Sequence, residues 1–124
     1  MIKTKKFTTA EEIADAVIEG ILEKKGKDIQ RLDLRGVEKA VCDFMIVCHG
    51  DSDRQVGAIA DSVEDVVREN LKEKPSHVEG KSEGEWVLLD YFSVIVHVFK
   101  LEQREFYGVE DLWGDADVKS YQTA

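Results

Sequence analysis

Three observations predict an α/β fold: a single domain with one mixed β-sheet flanked by helices. Apolar residues recur at helical spacing in two segments, 10–21 and 56–71. Four runs of strand length lie between and after them. The chain has 124 residues, 43% of them hydrophobic, which supports one modest core and not two.

The first helix starts at Thr8 or Thr9. Each stands three residues before a glutamate, Glu11 or Glu12, which is the capping-box spacing. Ala10, Ile13, Ala14, Val17, Ile18 and Ile21 form its apolar stripe. Lys24, Lys25 and Lys27 suit the negative end of the helix, and Gly26 is placed to stop it. A first strand is predicted over 29–34, with Leu32 and Leu34 on one side and Arg31 and Asp33 on the other. Gly36 turns the chain towards a second strand over 43–49. That strand is nearly all apolar, so it is predicted to be buried on both faces at the sheet centre.

Ser52 is placed to cap the second helix, with Gln55 at the capping-box position. This helix is expected to run to about Lys74, where Pro75 stops it. Strands on either side of so long a helix read as a crossover unit. The polar, glycine-rich stretch 76–85 reads as a loop. Strands over 86–90 and 94–100 follow, joined only by Tyr91, Phe92 and Ser93, so an antiparallel hairpin is predicted. Val94, Val96 and Val98 point to one face, and Ile95, His97 and Phe99 to the other. A short helical tail is expected to end near Trp113. The domain is expected to span 1–117, leaving 118–124 as a flexible polar tail. The predicted order is α-β-β-α-β-β-α.

The net charge is −9. Residues 1–40 hold nine Lys/Arg against eight Asp/Glu, and residues 41–124 hold eight against eighteen. Phosphate backbones are bound by Lys/Arg clusters that release counterions, and none is visible. Little direct nucleic-acid contact is therefore expected; a basic protein surface is the better electrostatic match. No stretch approaches the ~20 apolar residues of a membrane span. The basic start MIKTKKF leads into a charged helix and not an apolar segment, so no secretory signal is expected. Cys42 and Cys48 lie in apolar surroundings without a CxxC. They read as reduced thiols in a reducing, cytoplasmic compartment rather than as a disulfide or metal pair.

The turn Gly50-Asp51-Ser52 lies between a buried strand and a helix, where free backbone N–H groups can hold a phosphate. Nucleotidyltransferases use this arrangement, and the order of elements resembles theirs. Their chemistry also needs two or three carboxylates converging on Mg²⁺. No D-x-D strand pair is present: Asp90 stands alone, with Leu88 two residues before it. Asp61 and Asp65 are i,i+4 neighbours and read as a solvated helix face. A residual nucleotide-binding function thus rests on Gly50 and Ser52, which read more simply as a turn and a cap. His49, His77 and His97 are far apart and lack zinc spacing. Ser52, His97 and Asp90 could be combined as a triad, but no G-x-S-x-G elbow selects them. No catalytic residue, metal or cofactor is expected.

Aromatic residues concentrate in the last third: Trp86, Tyr91, Phe92, Phe99, Phe106, Tyr107 and Trp113. Asp90, Glu102, Glu105, Glu110 and Asp111 stand among them. Core packing accounts for most such residues. Two Trp and two Tyr with flanking acids also describe an interface, since these types dominate binding hot spots.

Several segments together resemble the ribosomal silencing factor (Iojap-like) family. They are DIQRLDLRG from residue 28, DFMIVCHGDSDRQV over 43–56, the Val78-Glu79-Gly80 turn, WVLLDYFSVIVHVF over 86–99 and REFYGVEDLWGDA over 104–116. The ordered set Trp86, Asp90, His97, Arg104-Glu105, Tyr107 and Leu112-Trp113 is the most specific part. The likeness spans roughly residues 8–117. It implies a nucleotidyltransferase-like topology without the catalytic carboxylates, and a function that is not enzymatic. It also implies binding to the large ribosomal subunit through ribosomal protein L-fourteen, which blocks joining of the small subunit and represses translation. Homodimers are known in the family. Together with the aromatic and acidic pattern, it points to Glu79, Trp86, Asp90, Tyr91, His97 and Tyr107 as partner-binding residues. One departure is visible: Ser93 stands where many members have Asp, while Asp90 remains.

Overall fold

A computed structural model of the chain describes residues 7–122. Residues 1–6, which hold most of the basic start, and residues 123–124 of the expected tail lie outside the described residues. Helix α1 (Ala10–Glu23) is closed by the predicted box. Thr9 accepts from the Glu12 backbone, and the Glu12 side chain accepts from the Thr9 backbone. Its end differs from expectation. Lys25, not Gly26, takes the left-handed conformation (φ 58°), and the Gly26 N–H reaches back to the Ile21 carbonyl.

Strands β1 (Lys27–Asp33) and β2 (Phe44–Gly50) follow, then helix α2 (Asp53–Leu71). Ser52 caps α2 by accepting from the Gln55 N–H. The helix stops before Pro75 because Lys72 turns left-handed (φ 59°). The stretch expected to be all loop contains a short strand, β3 (His77–Glu79), which pairs antiparallel with β4 (Trp86–Asp90). Strand β5 (Val94–Lys100) completes the predicted hairpin with β4. It then leads into α3 (Leu101–Tyr107) and a 3₁₀ turn (Val109–Trp113). The described chain ends on β6 (Asp117–Tyr121), paired antiparallel with β1. The tail expected to be flexible is therefore largely an edge strand. Pairing with β1 satisfies the backbone groups on that side of the strand, and Tyr121 packs against the core.

The strands form one mixed sheet in the order β3-β4-β5-β2-β1-β6. The crossover from β2 through α2 returns to β5, which lies parallel to β2. Every residue of β2 is buried, as its apolar run predicts. Helices α1 and α2 cover one face over a large core that includes Ile21, Ile59, Val63 and Val96. The second face holds a smaller core of Leu32, Leu34, Met45, Val47, Phe99 and Val109. Cys42 and Cys48 are free and buried, and burial pushes their thiols up to about 11 and about 12.

The two long helices cross closely at Gly20. A Cβ there would lie 2.7 Å from Val63 Cα, and the Ser62 hydroxyl donates to the Gly20 carbonyl at 2.7 Å. Gly20→Ala must push the two backbones apart. It is expected to cost about 2 kcal/mol or more in urea unfolding, against the usual gain for alanine in a helix.

Candidate functional site

The site lies on the second face of the sheet, where α1 and α2 do not reach. Side chains alternate along strands, so Trp86, Leu88 and Asp90 share that face with Ile95, His97 and Phe99. The register sets Glu79, Leu88 and His97 in one row, Asp90 and Ile95 in the next, and Trp86 beside Phe99. Leu88, Ile95 and Trp86 are half-buried, which leaves an apolar strip open to solvent. Helix α3 borders it. Tyr107, 53% exposed, packs its ring 4.7 Å from that of Trp86, and Phe106, 76% exposed, meets Tyr107 edge-on at 5.0 Å. Trp86 also stacks on Phe99 at 4.9 Å.

His97 lies beneath this ridge at 6% exposure. Trp86 Nε1 donates to His97 Nδ1 at 3.0 Å. An indole N–H can only donate, so Nδ1 is bare and the ring carries its proton on Nε2. Burial lowers the pKa of His97 to about 4, only partly opposed by the Glu110 carboxylate. Folded His97 thus takes its proton near pH 4, the unfolded one near 6.5. Its contribution to stability is complete above pH 6.5 and is lost as pH falls towards 4. In urea unfolding, His97→Asn should lose about 2 kcal/mol less than the natural chain between about pH 7 and 5.

A second buried group docks α3. Arg104, 7% exposed, donates through Nε to Glu110 Oε1 at 3.0 Å and through Nη1 to His49 Nδ1 at 2.8 Å. His49 is therefore held neutral, its pKa lowered by burial and by the Arg104 charge. No sequence signal marks Arg104 as buried. Leu88 and Ile95 were also missed, although strand alternation puts them in phase with Trp86 and His97.

The six expected site residues do not all meet. Trp86, His97 and Tyr107 form one cluster, with His97 as its buried floor and not a contact surface. Glu79 is exposed on β3, with His77 Nε2 at 2.7 Å from its carboxylate. Asp90 is half-exposed, and its Oδ1 accepts from the Phe92 N–H at 2.8 Å, holding the hairpin turn. Tyr91 is corrected. At 5% exposure it points into the helix-side core, out of phase with Trp86, its hydroxyl buried without a partner.

The arrangement offers little to phosphate chemistry. The Asp51 N–H is taken by Gln55 Oε1 at 2.8 Å, and the Gln55 N–H by Ser52 Oγ. Asp61 pairs with Lys81 and Asp65 with Arg68. A cleft of about 490 Å³ beside Arg104 is lined by Asp28, Glu105, Glu110 and Asp111, a charge pattern that repels polyphosphate. Among the described residues no group of three or more His, Cys, Asp or Glu could hold a metal ion. No helix among them is long and apolar enough to cross a membrane.

The family model described as ribosomal silencing factor during starvation matches residues 7–124. The chain belongs to the ribosomal silencing factor family. A Bacillus subtilis relative, named ribosomal silencing factor RsfS, is 44% identical over 76% of this chain and 78% of its own. A crystal structure of a Chromobacterium violaceum protein matches with a TM-score of 0.81 at 40% identity, covering 86% of this chain and 88% of that one. A second, from Bacillus halodurans, matches with a TM-score of 0.73 at 33% identity, covering 83% and 94%. The family match includes β6.

Proposed function

We propose that this chain silences translation by binding the large ribosomal subunit through ribosomal protein L-fourteen, so that its bulk keeps the small subunit from docking. The observation that carries the reading is the open second face. There a half-buried Trp86 stands between Phe99 and the exposed Tyr107, beside the apolar Leu88 and Ile95. A rigid indole with apolar neighbours and a polar rim has the anatomy of a binding hot spot. The rim is acidic, with Glu79, Glu85 and Asp90 on or beside it. Such a rim favours a Lys/Arg-rich protein and disfavours bare RNA.

Steric exclusion needs no bond to form or break, so the function is not enzymatic. An interface of the common size, roughly 1,600 Å² in total, is enough for a specific complex. Sedimentation of the purified protein with separated subunits tests the partner. Co-migration with large subunits alone is the expected result; co-migration with neither, or with small subunits, overturns it.

A further inference from the structure

We propose that His97 is a positioning residue for partner binding: its Nδ1 holds the Trp86 indole in the one orientation the partner reads. The proposal rests on the binding face assigned above. Three aromatic rings meet Trp86 at the face: His97, Phe99 and Tyr107. Phe99 and Tyr107 contact its ring at 4.9 and 4.7 Å. The Phe99 contact is stacked and the Tyr107 contact is tilted at 41°; neither is a hydrogen bond, and such ring contacts tolerate a flip of the indole about its second side-chain torsion. The hydrogen bond to His97 does not. A flipped ring would turn Nε1–H away from its acceptor and leave a part-buried donor unpaired.

The acceptor is itself fixed. His97 sits on β5 with Leu88 of β4 and Val47 of β2 as its register partners, both apolar. From the 3₁₀ turn, Glu110 is the charged group that acts on the ring, and its Oε1 is committed to Arg104 of α3. Tyr107 of α3 lies across the Trp86 ring, and Phe99 stacks beside His97 at 5.9 Å. A proton on Nδ1 would set two N–H donors against each other and release the indole. Neutral His97 is therefore the binding-competent form, although the residue is too buried to touch a partner.

The test uses the full chain, with Trp113→Phe so that Trp86 is the remaining tryptophan. Purified large ribosomal subunits are the probe. His97→Leu removes the acceptor. His97→Asn returns an oxygen near the position of Nδ1. Expected are about tenfold weaker binding for His97→Leu and recovery to within about threefold for His97→Asn. Trp86 emission should change on acidification as His97 titrates, and that change should be absent in His97→Asn.

Equal losses in both His97 variants would overturn the proposal, because packing and not the acceptor would then matter. So would unchanged binding of His97→Leu where Trp86→Ala binds poorly. Unchanged binding of Trp86→Ala would instead remove the proposed face itself. If His97→Leu fails to fold, the emission titration decides: no change through the His97 transition overturns the proposal.

Discussion

Trp86→Ala is expected to weaken binding to large ribosomal subunits by more than ~1.5 kcal/mol, over tenfold, while the protein stays folded. Truncation removes the indole that joins the open sheet face to Tyr107. It also leaves His97 Nδ1 without its donor and Phe99 without the indole stacked on it. Part of the cost will appear as lower stability, because Trp86 packs against the second-face core. Binding must therefore be measured well below the variant's melting temperature, with far-UV dichroism to show that it is folded. Trp86→Phe keeps an aromatic ring but loses the N–H, and should fall between the two. A folded Trp86→Ala that binds large subunits like the natural protein would show that the partner uses another surface.

Arg104→Ala is expected to cost about 3 kcal/mol of folding stability, the range for breaking a buried charge pair. Its guanidinium joins α3 to the 3₁₀ turn through Glu110 and to β2 through His49. Removing it deprives the Glu110 carboxylate and the His49 Nδ1 of the donor each has in the structure. The seven-residue α3 has too few turns to hold its place by propensity. Binding should weaken as well, because Tyr107 is carried on that helix. Glu110→Gln, which keeps a hydrogen-bonding oxygen, should lose much less. Thermal unfolding of both variants decides the matter; an unchanged melting temperature in Arg104→Ala would remove the node from the account.

The fold was legible wherever local chemistry and burial agree. The Thr9 box, the Ser52 cap and two apolar stripes define the long helices, and the all-apolar run ending at Cys48 marks the sheet centre. Strands β3 and β6 were illegible because HVE and DVKSY carry almost no apolar pattern. They are strands because β4 and β1 offer them free edges, a tertiary cause. The site was half legible. Strand alternation alone puts Tyr91 out of phase with Trp86 and Asp90, so its place in the helix-side core could have been read. It equally puts Leu88 and Ile95 in phase with the site. The burial of Arg104 could not be read, since it depends on where a short helix docks.

On the proposed function, a folded acidic body anchored by Trp86 occupies the surface on which the small subunit must land. Light scattering of purified small and large subunits, mixed under associating conditions with a saturating amount of this protein, tests it most directly. Scattering is expected to stay at the level of the free subunits, and Trp86→Ala to restore association. Normal joining in the presence of the saturating natural protein would contradict it.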